Sequence, residues 1–146
     1  MSETEQLAVF REKFRVQELL VYETPAWSWS VRPIQPTLGA SVISLNRSAA
    51  SLSEVSKAEM VEFAEVVGKL ENALKKAFCF DRINYLMLMM LDHHVHFHVI
   101  PRYETQRQFA GLEWGDSGWP SLPVLAESQH RDSVLPLIRD VLKVAP

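Results

Sequence analysis

Residues 94–100 read His94-Val95-His96-Phe97-His98-Val99-Ile100. Side chains alternate across a β-strand, so the three imidazoles share one face and Val95, Phe97 and Val99 take the other. The apolar row suits a core. The imidazole row does not, because each ring nitrogen needs a partner. One wall therefore carries three groups able to act as nucleophile, acid, base or metal ligand near neutral pH. Three imidazoles could hold a catalytic zinc with an open fourth position. However, no Cys, Asp or Glu pattern elsewhere supplies a ligand from a second element, so no metal ligand is assigned. Covalent chemistry at phosphorus fits better: a neutral imidazole attacks a phosphoryl group and passes it to water, while flanking donors neutralise the phosphate oxygens. His93 is out of phase with the row and ends a turn with Asp92, so it receives no role. His130 lies in a polar stretch and is expected on the surface, far from the row.

The elements around this row are legible in outline. Leu7, Phe10 and Phe14 at helical spacing suggest a short N-terminal helix, a lid over one sheet edge. Glu18 to Glu23 and Trp27 to Arg32 form a hairpin across Thr24-Pro25. Trp27 and Trp29 share one strand face and read as core. Pro33, Pro36 and Gly39 make a loop before a strand from Ala40 to Leu45. The clearest helix runs from about Lys57 to Phe78. It has a Ser56/Glu59 capping box and an apolar stripe of Met60, Phe63, Val67, Leu70 and Leu74. Cys79, at its end, reads as a buried small hydrophobe. Ile83 to Leu91 is apolar on both faces and predicts a central strand covered on each side. The segment Phe109 to Pro120 is rich in aromatics and glycine. It folds over the active face or packs on its own rings. A last helix from about Asp132 to Val144 points Leu135, Ile138, Val141 and Leu142 inward, with Pro136 tolerated in its first turn. This order predicts an α+β domain: an antiparallel sheet, one long helix and short terminal helices.

The chain has 146 residues and a formal net charge of −3, consistent with one domain. Its Lys and Arg residues are scattered, which argues against a nucleic-acid polymer or an anionic membrane as partner. A small anionic nucleotide needs only local donors. The single cysteine cannot form an intrachain disulfide. No apolar run is long enough to span a bilayer, and Met1 to Glu5 lacks the build of a signal peptide, so the expected location is cytoplasmic. An antiparallel sheet with edges to protect, a two-faced apolar strand and exposed tryptophans favour a homodimer.

The pattern His94 to Ile100, followed by Pro101-Arg102-Tyr103, resembles the signature of the histidine-triad (HIT) nucleotide hydrolases and transferases, many of them bacterial. Upstream, the order of elements agrees over about residues 18–103; residues 104–146 match weakly. The resemblance implies a HIT-like fold, usually dimeric. It also implies attack on the α-phosphate of a dinucleoside polyphosphate or nucleoside phosphoramidate through a phosphohistidine intermediate. By position, His96 would be the nucleophile. His94 would orient and polarise it through the backbone hydrogen-bond network, and His98 would contact the phosphate oxygens. Arg32, Asn84 and Arg102 are the candidate substrate contacts. No cofactor is required on the protein, although Mg²⁺ would accompany a polyphosphate.

The chain departs from the family in three places. Ala40 stands where many members carry a fourth histidine. Arg32 lies near the family's ribose-binding Asn or Asp, and as a donor only it suits phosphate better than a ribose diol. Its alternative reading is a solvated strand-end charge. The run Leu86 to Leu91 replaces small or polar residues that hydrogen-bond phosphates, and leaves Asn84 as the only amide nearby. A catalytically weak nucleotide-binding module and a metal-dependent hydrolase built on the three histidines therefore stand as alternatives.

Overall fold

The structure, a computed structural model, describes residues 2–128 and 130–143. A helix α1 (Glu3–Lys13) precedes strands β1 (Leu20–Glu23), β2 (Trp27–Val31) and β3 (Ser41–Leu45). Then come the long helix α2 (Lys57–Phe78), β4 (Arg82–Leu86) and β5 (His96–Arg102). A small hairpin, β6 (Arg107–Phe109) with β7 (Leu112–Trp114), and a last helix α3 (Leu135–Lys143) complete the chain. The main sheet is antiparallel, in the order β1-β2-β3-β5-β4. This is the expected α+β architecture.

Alternation gives the sheet two unlike faces. Trp27, Trp29, Val31, Ile43, Leu45, Val95 and Val99 enter one core together with Leu70 and Leu74 of α2 and Leu135, Ile138 and Leu142 of α3. Helix α2 starts at the expected capping box, where Ser56 Oγ accepts from the Glu59 N–H and Glu59 accepts from the Ser56 N–H. Its buried face is Val66, Leu70, Ala73, Leu74 and Phe78, rotated slightly from the expected stripe, so Met60 is exposed. Trp27 Nε1 donates to the Glu59 carbonyl at 2.7 Å, pinning the helix start to β2. At the other end α2 packs so close to Gly39 that a Cβ there would lie 2.7 Å from Leu74 Cδ2; with φ at +89°, the position is restricted to glycine.

Five expectations are corrected. The run Ile83 to Leu91 is not a central strand: β4 ends at Leu86 and lies at the sheet edge, outside β5. Beyond Leu86 the chain leaves the ladder, Met89 adopts a left-handed conformation, and Leu88, Met90 and Leu91 are exposed. Hydrophobicity there marks a cavity wall and rim rather than a buried strand. Helix α1 covers the histidine face of the sheet instead of an edge, because Phe10 and Phe14 pack on the imidazoles. Cys79 is exposed, since the left-handed cap of α2 turns it outward. None of the tryptophans is exposed: Trp27, Trp29 and Trp114 are buried and Trp119 is half-buried. His130 is half-buried, with its ring stacked on Trp114 at 5.9 Å. The C-terminal helix forms as expected; Val144 lies outside the described residues.

Candidate active site

Strand β5 sits between β3 and β4, which places His98 opposite Val42 and His96 opposite Ser44. The regular strand begins at His96. His94 precedes it, while Val95 is held by a backbone bond to Ala49. All three imidazoles nevertheless share one face and are buried. Their cover comes from α1: the Phe10 ring lies 5.0 Å from His94 and 4.8 Å from His96, and Phe14 lies 5.7 Å from His96 and 5.9 Å from His98.

The hydrogen bonds decide the tautomers. His94 Nε2 is 2.7 Å from the Leu45 carbonyl, and His96 Nδ1 is 2.5 Å from the His94 carbonyl. A carbonyl oxygen only accepts, so each of these nitrogens carries the proton. His96 in its neutral form therefore has its lone pair on Nε2. At His98 the logic reverses: Arg32 Nε donates to His98 Nδ1 at 3.1 Å, which leaves the ring proton on Nε2. Burial lowers the pKa of His94 and His96. Burial, joined by the positive charge of Arg32, pushes His98 down to about 3. At neutral pH His96 thus offers a free Nε2 lone pair beside the N–H donor of His98, their rings 4.9 Å apart.

Arg32 is no solvated strand-end charge. It is half-buried, its Nη1 donates to the carbonyls of Ile34 and Leu125, and no carboxylate among the described residues forms an ion pair with it. Its loop is braced by the buried Gln35. The Gln35 amide donates to the Arg32 and Ala40 carbonyls and accepts from the Gly39 N–H. The C-terminal segment reaches this loop through Leu125, and through His130 Nε2, which is 3.2 Å from the Pro33 carbonyl. Trp114 belongs to the core and stacks on His130.

A cavity of about 320 Å³ opens beside His96 and His98. Arg32 and Lys13 supply its cations, Asp92 its carboxylate, and Phe14 and the Leu88–Leu91 rim its apolar wall. Lys13 is paired with Asp92 at 2.8 Å, tying α1 to the loop before β5. Of the sequence candidates, the structure brings together His96, His98 and Arg32. His94 lies behind them, linked through its carbonyl. Asn84 and Arg102 are not in the cavity lining. Arg102 is buried against Asp116, at 2.7 and 3.1 Å, and also donates to Asn84 Oδ1 at 2.8 Å. That arrangement satisfies both residues and ties β5 to β4 and to the segment after β7. Sequence reasoning missed Lys13, Asp92 and Gln35. Their signal is purely spatial, apart from the helical phase that places Lys13 next to Phe14. Among the described residues no three His, Cys, Asp or Glu side chains converge as a metal site requires.

A five-stranded antiparallel sheet with a histidine row on one face and a long helix on the other defines a histidine-triad domain. The sequence model of the HIT domain matches residues 15–105, and the chain belongs to that family. No curated protein sequence matches it significantly. Among solved structures, a hypothetical histidine triad nucleotide-binding protein from Sulfolobus tokodaii superposes with a TM-score of 0.70 at 16% identity, covering 97% of this chain and 90% of the other. A HIT-like protein involved in cell-cycle regulation from Bartonella henselae gives 0.67 at 19% identity, over 94% and 95%. A histidine triad protein from Sinorhizobium meliloti gives 0.70 at 16%, over 90% and 93%. At these identities the likeness is one of fold. No helix among the described residues is long and apolar enough to cross a membrane.

Proposed function

We propose that this protein is a hydrolase or transferase acting on the α-phosphate of a nucleotide conjugate through a phosphohistidine. The observation that carries this reading is the free lone pair on His96 Nε2, imposed by the His96 Nδ1–His94 carbonyl bond. His96 Nε2 attacks phosphorus, the N–P bond forms, and the leaving group departs with the electron pair of the broken bond. Water, or another acceptor, then attacks phosphorus and His96 leaves. His98 Nε2–H and the Arg32 guanidinium supply donors for the phosphoryl oxygens. His94 acts through its carbonyl, which keeps the proton on His96 Nδ1. The apolar rim receives the remainder of the substrate, of dinucleoside polyphosphate or nucleoside phosphoramidate type. The chemistry needs no ion on the protein, and Mg²⁺ enters only with a polyphosphate. A cytoplasmic homodimer acting on a small nucleotide, with neither nucleic acid nor membrane as partner, accords with the family and with the free edges of β1 and β4.

The test is His96→Ala assayed on a panel of adenylylated substrates, with and without a chelator. Turnover should fall at least about a thousandfold while nucleotide binding stays near normal, because only the transition-state interaction is removed. Activity within tenfold of wild type, or a larger loss on replacing His98, overturns the assignment. Activity lost together with stoichiometric zinc would favour a metal-dependent hydrolase. One observation favours a second reading, a nucleotide-binding module of low turnover: Phe10 and Phe14 lie over the histidine row and leave His96 2% exposed. Binding without turnover in the same panel would establish it.

A further inference from the structure

The contact between Arg32 and His98 has a consequence separate from phosphate binding. Arg32 Nε points at His98 Nδ1 from 3.1 Å, and an arginine nitrogen only donates. The guanidinium cannot simply swing away, because Nη1 is held by two carbonyls and the loop is braced by Gln35. Around His98, Val42 stands opposite on β3 and Leu86 opposite on β4; neither titrates. The charged or titratable groups that face it are Arg32 after β2, His96 on β5, Lys13 on α1 and Asp92 before β5. Asp92 is the one group among these that would favour a protonated His98, and it is already paired with Lys13.

We propose that Arg32 is a positioning residue that locks His98 as its Nε2–H tautomer, so that His98 serves as a neutral hydrogen-bond donor to the phosphoryl group and not as an imidazolium acid. The lock has two parts. The Nδ1 lone pair is occupied by the arginine N–H, and protonating Nδ1 would replace that hydrogen bond with a clash of two donors beside a fixed positive charge. His98 Nε2–H is then available in the direction opposite to Arg32. The neutral-donor state is thus set by this chain's arginine, whereas His96 is set by a backbone carbonyl. The phosphoryl part of the statement rests on the function proposed above; the tautomer part does not.

The experiment is ¹⁵N NMR of histidine-labelled protein, with His98 assigned through His98→Gln. Wild-type His98 should be a single neutral Nε2–H form from about pH 5 to pH 8. Arg32→Ala should release it, giving mixed tautomers and an upward pKa shift of about one unit or more. If Arg32→Ala fails to fold, Arg32→Lys, which lacks the Nε–H, takes its place in the same spectra. An Nδ1–H or imidazolium His98 in wild type overturns the proposal, as does a folded Arg32→Ala with unchanged His98 signals. Arg32→Lys adds a kinetic arm: it keeps a cation for the phosphate but has no Nε–H to aim at His98. A fall in kcat of about tenfold or more with KM within about threefold supports the lock. A raised KM with unchanged kcat overturns it. A protein that shows the Arg32-dependent tautomer but no turnover refutes the functional reading and leaves the lock in place.

Discussion

The two faces of the central sheet are built from the same strands but follow opposite rules. On the face toward α2 and α3, Trp27, Trp29, Ile43, Leu45, Val95 and Val99 form a continuous apolar layer sealed by two helices. Trp27 and Trp29 still place their N–H groups, on the Glu59 carbonyl and on Ser41 Oγ. On the face toward α1, the same strands offer Ser28, Ser30, Ser44, His96 and His98, all buried, with Phe10 of the helix, Phe14 at its cap and Val16 in the turn after it as the apolar cover. There the Ser30 and Ser44 hydroxyls are buried with no protein hydrogen-bond partner among the described residues. Buried polar groups without partners cost stability. The large core offsets that cost and leaves the second face free to carry chemistry, so stability and reactivity are separated by the strand pleat.

Mutations should split along this division. Leu74→Ala, in the sealed layer, should lower unfolding free energy by about 2–5 kcal/mol, through lost burial plus a residual cavity. The folded fraction should keep its activity per molecule. His96→Ala should do the reverse, with stability changed far less than turnover. Chemical denaturation alongside the substrate panel reads both, and a Leu74→Ala protein that is as stable as wild type breaks the comparison.

Acid should act mainly through the histidine face, because the sealed layer contains nothing that titrates in the acid range: its titratable members are tyrosines, whose pKa values are raised. The three imidazoles have folded-state pKa values below the usual histidine value, so the unfolded chain takes up protons first. Their contribution is complete above about pH 6.5 and declines as pH falls, continuing for His98 toward its folded value of about 3. The slope reaches about 1.4 kcal/mol per pH unit for each such histidine. Denaturation midpoints measured between about pH 7 and pH 5 should therefore drop steadily before the surface carboxylates titrate; a flat profile would mean the imidazoles are not buried neutral. The smallest effect is expected at the tether of α1. Lys13→Ala removes an ion pair whose lysine is half exposed, and should cost no more than about 1 kcal/mol in the same measurement. A larger loss would show that α1 is held by the tether rather than by Phe10 and Phe14.

Much of the division was legible in the sequence. Alternation alone assigned the histidines to one face and Val95 and Val99 to the other, the Ser56/Glu59 box fixed the start of α2, and Trp27 and Trp29 were readable as core. The reading failed where hydrophobicity had to stand for position. Ile83 to Leu91 looked like a buried central strand, yet it is an edge strand ending at Leu86 and then a rim with Leu88, Met90 and Leu91 exposed. Apolar composition reports that a segment avoids charge, not which neighbours it finds.

By itself the sequence determined the histidine row, its apolar counterpart, the long helix and the α+β class, because these depend on local periods of two and of 3.6 residues. Only the tertiary structure decided that α1 covers the histidines, that Arg32 faces His98, and that Arg102 is spent on Asp116 and Asn84. Each of these joins residues from separate elements through a few hydrogen bonds, an ion pair or ring contacts. Such contacts leave no periodic trace, so nothing in the order of residues announces them before the sheet has formed.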